Sequence, residues 1–511
     1  MTHFPSSERR MNHEQVPVPS TDMRGFPGTP WPPFRTHIVN ALAKKSRPAL
    51  GHHPTKIKAI TETLQALTHE FRSTKSPVEV NFRALVPDFP HPERATHLIH
   101  PYPAKLLAHI PYFFLSADSL SNPGDRVLDP FCGSGTVLLE AVLSGRRPVG
   151  ADSNPLARLI ALAKITPIDI QPLKTLLAEV IGLAASYQKG DSLPLPDVIN
   201  RQYWFHPQVT QQLAALLEAI RQAADSDSLR FLEVCFSSCL RRVSFADPRL
   251  SVPVRLKHDQ YETGHRLHNR TNLRLEQLPT INVLAAFESL AATNITRLQT
   301  IEPLRAENLP AAGHVGCDAR ALSDAHLPTD RTSVLGDGTI DLAITSPPYV
   351  GSQKYIRASS LSLGWLGLCS SSMLRTLEDR NIGREHHARA AYHTPLQTDI
   401  PQADLQLKDI RAKNPLRAHI AACYLLEMRE ALRETCRVLR AGGHLVLVVG
   451  NSTICSQEFD TRNYLRYTTE SLGLRTNLVL TDTIHSRGLM TSRNVTASVI
   501  QRETVFLFEK K

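Results

Sequence analysis

The stretch from Arg126 to Asp152 constrains the fold of this chain more than any other. It begins with a short apolar run, Arg126-Val-Leu-Asp129, passes through a turn that holds Gly133 and Gly135, and then shows helical periodicity. A second apolar run ends at Asp152. Strand, glycine turn, helix and strand in this order predict a βαβ unit, in which the carboxyl ends of two parallel strands lie side by side. We therefore expect an α/β fold with a ligand site at this edge of the sheet.

The residues of this unit also indicate what the ligand is. Glycine at 133 and 135 lets the backbone approach a ligand closely, and the carboxylate of Asp152 can accept hydrogen bonds from both hydroxyls of a ribose. The turn lacks the third glycine of the dinucleotide fingerprint, three residues further on, so it suits a pyrophosphate poorly. A ligand with ribose and adenine but no phosphate fits better.

A second feature is the sequence Ile344-Thr345-Ser346-Pro347-Pro348-Tyr349, which follows another short apolar run. Two prolines forbid the chain from continuing as strand or helix and leave the carbonyl groups of Ser346 and Pro347 free to accept hydrogen bonds. An amino group would supply the donors. With the flat ring of Tyr349 beside them, these acceptors predict a holder for an exocyclic-amino nucleobase taken out of its stack. The alternative is an ordinary turn with a core tyrosine.

Composition narrows the class of protein. The net charge of +10 favours a polyanionic partner, and 511 residues suffice for two or three domains. The sequence has no run of about 18 apolar residues and no apolar segment at its start, so neither a membrane span nor secretion is expected. The eight cysteines form no CxxC pair, which fits reduced thiols and a cytoplasmic location.

The residues just described resemble one protein family. Asp129-Pro-Phe-Cys-Gly-Ser-Gly-Thr and Gly150-Ala-Asp-Ser-Asn-Pro are similar to the S-adenosylmethionine motif of amino-methylating DNA methyltransferases, and Thr345-Ser-Pro-Pro-Tyr349 is similar to their catalytic motif. The resemblance implies a Rossmann-like methyltransferase fold with a mostly parallel sheet of seven strands and a largely helical insertion. It implies S-adenosylmethionine as cofactor and double-stranded DNA, with the target base flipped out, as substrate.

The same resemblance implies roles for individual residues. The catalytic residues are Ser346, Pro347, Pro348 and Tyr349. Cofactor contacts are expected from His100, Tyr102, Lys105, Asp129, Phe131, Gly133, Gly135, Asp152, Ser153, Asp318 and Thr345. The methyl acceptor would be N4 of cytosine or N6 of adenine, and serine at position 346 resembles the cytosine-N4 enzymes more often. A cognate restriction endonuclease would be a partner.

We expect four regions along the chain. Residues 1–75 form a poorly ordered, basic, proline-rich arm plus a short helix, 76–166 the cofactor half, 167–310 a mainly helical insertion for target recognition, and 311–511 the catalytic half. The periodicity predicts helices over 176–187, 208–224, 228–242 and 429–440, the last ending at Ala441-Gly442-Gly443. Basic residues at 248–277, and at 352–357 with 380–417, could contact DNA phosphates, or they could be solvated loops.

Other interpretations remain open at this point. An RNA guanine-N2 methyltransferase has a similar glycine loop and an Asn/Asp-Pro-Pro-Tyr motif, and a catalytically silent nucleic-acid-binding scaffold would keep the fold. No metal is expected: Cys235 and Cys239 fit core thiols, and the histidines at 386, 387 and 393 fit a solvated loop. Cys132 is rejected as a nucleophile because methylating an amino nitrogen needs no covalent adduct.

Overall fold

The computed structural model of the chain describes residues 54–89, 94–103, 105–187, 192–305, 314–322, 326–327, 330–351, 354–483 and 502–511. The N-terminal arm that the composition predicts, up to residue 53, lies outside these residues. The short helix expected to follow it is present as Pro54–Thr74 (α1).

A sheet of eight strands forms the centre of the fold. In spatial order they are β1 (Val78–Val80), β11 (Leu474–Thr483), β12 (Arg502–Lys510), β8 (Leu439–Val449), β7 (Ile340–Thr345), β2 (Arg126–Asp129), β3 (Arg147–Ala151) and β4 (His314–Gly316). Among these eight strands only β12 runs antiparallel to its neighbours. The predicted Rossmann-like methyltransferase fold is confirmed, and the three-residue β1 adds an eighth strand to the seven expected. Two small sheets pair β5 (His326–Leu327) with β6 (Asp330–Val334) and β9 (Ser452–Ile454) with β10 (Gln457–Phe459).

Helices cover the sheet and connect its parallel strands. They are α2 (Phe82–Leu85), α3 (His109–Leu115), α4 (Thr136–Leu143), α5 (Pro155–Ile165), α12 (Tyr355–Trp365), α13 (Leu374–Asp379), α14 (Pro401–Lys413), α15 (Pro415–Val438) and α16 (Thr461–Ser471). Every side chain of α3 and α4 is buried. A helix buried all round belongs to the core, which explains why the helix after the glycine turn is almost uniformly apolar. None of the described helices combines the length and apolarity that crossing a bilayer requires.

The insertion between the two halves is helical, as the periodicity predicts. Its helices are α6 (Ile170–Ser186), α7 (Arg201–Trp204), α8 (Pro207–Ala223), α9 (Ser226–Val243), α10 (His268–Gln277) and α11 (Val283–Leu298). All of them except α10 share one hydrophobic cluster with α5 and α12, so the insertion packs directly beside the helices that follow both motifs. The buried Leu275 of α10 belongs to a separate small cluster with Leu256 and Leu278. Cys235 and Cys239 lie inside this cluster as core thiols, and burial raises the pKa of each to about 12.

One helix end differs from its prediction. Helix α15 ends at Val438, and β8 begins with the next residue, so the glycines at 442 and 443 lie inside a strand. The pairing of β7 with β8 jumps from Leu439 to His444, which leaves a bulge between them. A side chain on Gly443 would come within 3.0 Å of the Asp341 carbonyl oxygen. Gly443 therefore serves the close approach of two strands, and Gly442 takes a positive φ of 69° in the bulge. Neither glycine stops the helix.

Candidate active site

The glycine turn between β2 and α4 is shaped by two residues in the left-handed region. Gly133 has φ 48° and Gly135 has φ 76°, a region that favours glycine. A methyl group built on Gly135 would lie 3.0 Å from Cα of Ala161, so α5 also requires glycine there. A methyl group built on Gly133 would meet only the Tyr102 ring, at 3.8 Å, among the described residues. The backbone at Gly133 is therefore open to a ligand beside Tyr102.

The carboxylate of Asp152, at the end of β3, holds this turn in place. Its Oδ2 accepts a hydrogen bond from the amide of Gly133 at 2.9 Å, and its Oδ1 accepts one from the amide of Asn154 at 2.8 Å. Burial raises the pKa of Asp152 to about 6, although both amide hydrogen bonds favour the charged form. Each carboxylate oxygen can accept a further hydrogen bond. The arrangement leaves acceptors for a pair of ribose hydroxyls.

Asp129 connects the two motifs directly. Its Oδ1 accepts hydrogen bonds from the Phe131 amide at 3.1 Å and from the Thr345 hydroxyl at 2.6 Å. Strand β2, which leads into the glycine turn, is also paired in parallel with β7, which leads into the Pro-Pro turn. The residues on which the cofactor and catalytic motifs depend therefore lie at adjacent strand ends.

We expect Asp129→Asn to remove part of the pH dependence of stability. Burial raises the pKa of Asp129 to about 7, although the hydrogen bonds from Thr345 and Phe131 favour the charged form. A carboxyl whose pKa is higher in the folded than in the unfolded chain stabilises the fold at low pH, and this contribution is lost as the pH rises to that value. Between about pH 4 and pH 7, the free energy of unfolding should therefore fall by on the order of 3 kcal/mol in the natural chain relative to the variant.

Urea denaturation at several pH values measures this difference. If the free energies of unfolding of the two proteins changed in parallel across the range, Asp129 would not carry the raised pKa.

The segment before α3 places its three predicted cofactor residues differently. The Tyr102 hydroxyl accepts a hydrogen bond from the Asn154 amide at 3.1 Å, so this ring lies beside the glycine turn. His100 is buried with Nε2 2.9 Å from the Ser237 hydroxyl, toward the insertion. The ammonium group of Lys105 donates to the carbonyl oxygens of His97 and His100. Of the three, Tyr102 is the one that these contacts bring to the turn. The cofactor roles of all three residues remain predictions.

Asp318 and Ser153 are both tied to other side chains. Asp318 forms a bidentate ion pair with Arg320. Nε of Arg320 lies 3.0 Å from Oδ1 of Asp318, and Nη2 lies 2.7 Å from Oδ2. The Ser153 hydroxyl donates to Oδ1 of Asn381 at 2.5 Å. Arg320 also donates to the carbonyl oxygen of Arg380 at 2.9 Å. Ser153 thus contacts residues 380–387 directly and Asp318 is linked to them through Arg320. We call residues 380–387 the bridging segment.

The bridging segment also reaches the Pro-Pro turn. A methyl group built on Gly383 would lie 3.0 Å from the carbonyl oxygen of Tyr349, so the two backbones are in close contact. Two residues of chain span at most about 7 Å, and Asn381 contacts Ser153. The predicted catalytic turn and the loop after β3 are therefore held within a short distance of each other.

The Pro-Pro turn is partly buried, and a hydrogen bond fixes the position of its tyrosine ring. Pro347 is buried, whereas Ser346, Pro348 and Tyr349 are half-buried. The Tyr349 hydroxyl donates to Oε1 of Glu503 at 3.0 Å, which anchors the ring to β12. Burial, and then the negative charge of Glu503, raise the pKa of Tyr349 well above its usual value, so the phenol stays neutral.

Sequence reasoning missed three residues of this site. Asn154 donates to Tyr102 and also to the Ser359 hydroxyl at 2.9 Å, joining α5 to the helix after the catalytic turn. Glu503 anchors Tyr349, and Asn381 holds Ser153. The only sequence signal was Asn154 before Pro155, which marks a helix start and does cap α5. Nothing in the sequence pairs Glu503 with Tyr349.

Several basic residues that were candidates for phosphate contact form ion pairs or cation–π contacts with other residues of the chain. Arg384 pairs with Glu427, and Arg417 pairs with Glu385 at 3.2 Å. The Arg255 guanidinium lies 4.4 Å from the centre of the Phe245 ring. Exposed cations such as Arg357 are better placed to meet a polyanion.

Comparison with known proteins finds a family model that matches residues 42–162. It is a model of N6- and N4-methyltransferases, described as DNA methylase. The Type II methyltransferase M.MvaI of Kocuria varians is 24% identical over 374 residues, which cover 70% of this chain and 77% of that protein.

Two further similarities are shorter. The tRNA (guanine(10)-N2)-dimethyltransferase of Methanothermobacter thermautotrophicus is 69% identical over 29 residues, which cover 6% of this chain and 9% of that protein. A crystal structure of a putative DNA modification methylase from Thermus thermophilus, complexed with S-adenosyl-L-methionine, overlaps 34% of this chain and 49% of its own. The TM-score is 0.17 at 16% identity.

Proposed function

We propose, from its similarity to the amino-methylating DNA methyltransferases, that this chain methylates an exocyclic amino nitrogen in double-stranded DNA. S-adenosylmethionine is the cofactor, and cytosine N4 or adenine N6 is the acceptor. The observation that supports this proposal best is the hydrogen bond from Thr345 to Asp129, because it joins the strand that ends in the glycine turn to the strand that ends in Ser346-Pro-Pro-Tyr349.

The residues around the glycine turn fit this cofactor. The open backbone at Gly133 leaves space for the ligand, and the half-buried ring of Phe131 offers an apolar face. The carboxylate of Asp152, which already accepts two amide hydrogen bonds, offers acceptors for the ribose hydroxyls. The absence of a third glycine matches a nucleoside without phosphates. When bound, S-adenosylmethionine supplies an electrophilic methyl group.

The Pro-Pro turn prepares the acceptor nitrogen. The lone pair of a nucleobase amino group is delocalised into the ring, which makes the nitrogen a poor nucleophile. Ser346 and the carbonyl group of Pro347 accept hydrogen bonds from its two N–H groups. These hydrogen bonds draw the nitrogen toward tetrahedral geometry and localise the lone pair. Fixed acceptors placed where charge develops act by positioning and electrostatics. Within the described residues no hydrogen-bond partner of the Ser346 hydroxyl is found, so this oxygen is available.

Tyr349 supplies the surface on which the flipped base rests. A base inside the duplex cannot reach this turn, so the target nucleotide must leave the stack. The hydrogen bond to Glu503 holds the ring in one position before the base arrives. Ser346 at the first catalytic position favours cytosine N4. We further propose that the insertion, residues 167–310, takes part in recognising the DNA sequence, that the protein works in the cytoplasm, and that a restriction endonuclease is its partner.

Two substitutions of Tyr349 distinguish the contribution of its ring, which stacks on the base, from that of its hydroxyl, which bonds to Glu503. Tyr349→Ala removes the ring, and since stacking of a base on an aromatic side chain contributes about 1–3 kcal/mol, kcat/KM should fall by about tenfold to hundredfold. Tyr349→Phe keeps the ring and loses only the hydrogen bond to Glu503, so it should stay within about fivefold of the natural chain. Single-turnover methylation of duplex DNA measures both. Equal losses in the two variants would mean that the hydroxyl, and not the ring, is what the reaction needs.

One experiment tests the proposed function as a whole. The full chain is incubated with methyl-labelled S-adenosylmethionine and, in separate reactions, with duplex DNA of mixed sequence and with tRNA. Digestion to nucleosides and mass spectrometry then identify the product. N4-methylcytosine or N6-methyladenine from DNA supports the proposal, whereas N2-methylguanine from tRNA would replace it with the RNA reaction. Label in neither substrate, with retained cofactor binding, would favour a silent scaffold.

A further inference from the structure

Three side chains outside the proposed active site converge on one point. His387 belongs to the bridging segment, and His419 and Cys423 lie one turn apart on α15. One ring nitrogen of each histidine and the thiol sulfur all lie within 4.8 Å of one another. Nε2 of His419 is 3.3 Å from the sulfur of Cys423. This spacing on one helical face is typical of paired metal ligands.

One nitrogen of this cluster is free for a ligand. Among the described residues, Nε2 of His387 is buried and has no hydrogen-bond partner, whereas Nε2 of His419 contacts the Cys423 sulfur. His387 donates from its other nitrogen to the backbone of Arg384, and such a hydrogen bond usually orients a metal-binding histidine. His387 is half-buried, so the solvated position expected for it from the sequence is wrong.

We propose that His387, His419 and Cys423 bind a Zn²⁺ ion that fixes the bridging segment to α15. Two imidazoles and one thiolate are donors that zinc prefers, and a fourth position remains for water. Tetrahedral zinc needs ligand atoms about 3.3–3.7 Å apart, which the nitrogen of His419 and the sulfur of Cys423 already approach. His387 must close by at most about 1.5 Å.

The cluster has charged neighbours of both signs. Metal binding requires neutral imidazole rings and a deprotonated thiol. The guanidinium of Arg384 is itself paired with Glu427, one turn beyond Cys423. Binding zinc to a thiol also releases its proton to solvent.

The site would act on the position of the bridging segment. Asn381 contacts Ser153, and Gly383 contacts the carbonyl group of Tyr349, both within six residues of His387. An ion at His387 would restrict this segment and thereby the distance between the two turns. The inference goes beyond the proposed function and can be tested without any substrate.

Cobalt substitution tests the ligand set. The full chain is stripped with a chelator and titrated with Co²⁺, which gives a charge-transfer absorption when it is bound by a thiolate. We expect saturation at about one ion per chain and loss of this absorption in His387→Ala and in Cys423→Ser. His386→Ala and Cys436→Ser are matched controls, because they change the adjacent exposed histidine and another cysteine of α15. Both controls should keep the absorption.

Thermal unfolding provides a second measurement in case a variant folds poorly, because each protein is compared with its own metal-free Tm. At a Zn²⁺ concentration about 100-fold above its dissociation constant, the Tm of the natural chain should rise by a few degrees, and that of His386→Ala equally. His387→Ala should show no rise above its own metal-free Tm. The proposal is overturned if the natural chain shows no thiolate absorption with Co²⁺, or if His387→Ala binds Co²⁺ and responds to Zn²⁺ like the natural chain.

Discussion

Ser346→Ala is expected to lower kcat for methyl transfer by about 100- to 1000-fold, the cost of removing one preorganised hydrogen-bonding group that acts on developing charge. Cofactor affinity should stay within about threefold, because the Asp152 and Gly133 contacts lie on another strand end. The loss should appear in kcat more than in KM, since the acceptor matters most when the amino nitrogen changes geometry.

Single-turnover rates on saturating duplex DNA measure this effect. Ser360→Ala is the matched control, because among the described residues its hydroxyl bonds only to the carbonyl oxygen of Arg357 in its own helix. The control should react at the natural rate. A Ser346→Ala rate within about threefold of natural would show that the side chain is dispensable and that backbone carbonyl groups alone accept the amino hydrogens.

Asp152→Ala is expected to weaken S-adenosylmethionine binding by about 100-fold. The variant loses the ribose acceptors and also the two amide hydrogen bonds that hold the glycine turn. Hydrogen bonds to a charged group contribute about 1.5–3 kcal/mol each, and about 2.7 kcal/mol corresponds to that factor. Calorimetric titration of the cofactor measures the dissociation constant without DNA.

The matched control for this variant is Asp341→Ala. Asp341 lies near the amino end of β7, away from the carboxyl ends of the strands where the cofactor site is proposed. Asp341 accepts hydrogen bonds from the Arg126 amide at 2.9 Å and from the Arg440 guanidinium at 2.7 Å, so its loss also removes two bonds. It should reduce stability and leave cofactor affinity unchanged. Unchanged affinity in Asp152→Ala, in a folded protein, would remove Asp152 from the cofactor site.

The strands that carry both motifs were predictable because their signals are local. A short apolar run that ends in an acid or in two prolines specifies where a buried strand stops, and β2, β3 and β7 end within a residue of the expected positions. Parallel pairing then brings their carboxyl ends to one edge. Three of the insertion helices, α6, α8 and α9, followed equally from their periodicity, whereas α7, α10 and α11 were not predicted.

The contacts that assemble the site were not predictable from local sequence. The residue pairs Ser153 and Asn381, and Tyr349 and Glu503, are 228 and 154 positions apart. Polar residues at these positions could equally be solvated, since nothing in their immediate neighbours specifies a partner. The helix end predicted at the glycines 442 and 443 was wrong for a related reason. Glycine is typical both of a bulge between strands and of a helix end, so its presence does not distinguish them.

The sheet order has a consequence during synthesis on the ribosome. Strand β2 leaves the exit tunnel early, yet its neighbour β7 follows only after the insertion, with Asp129 and Thr345 separated by 216 positions. At about 5–20 residues per second, the nascent chain waits roughly 10–40 s with one side of β2 unpaired. An open strand edge is a template for pairing with other chains. Translation speed and chaperone capture therefore bear on the yield of this enzyme more than its native contacts suggest.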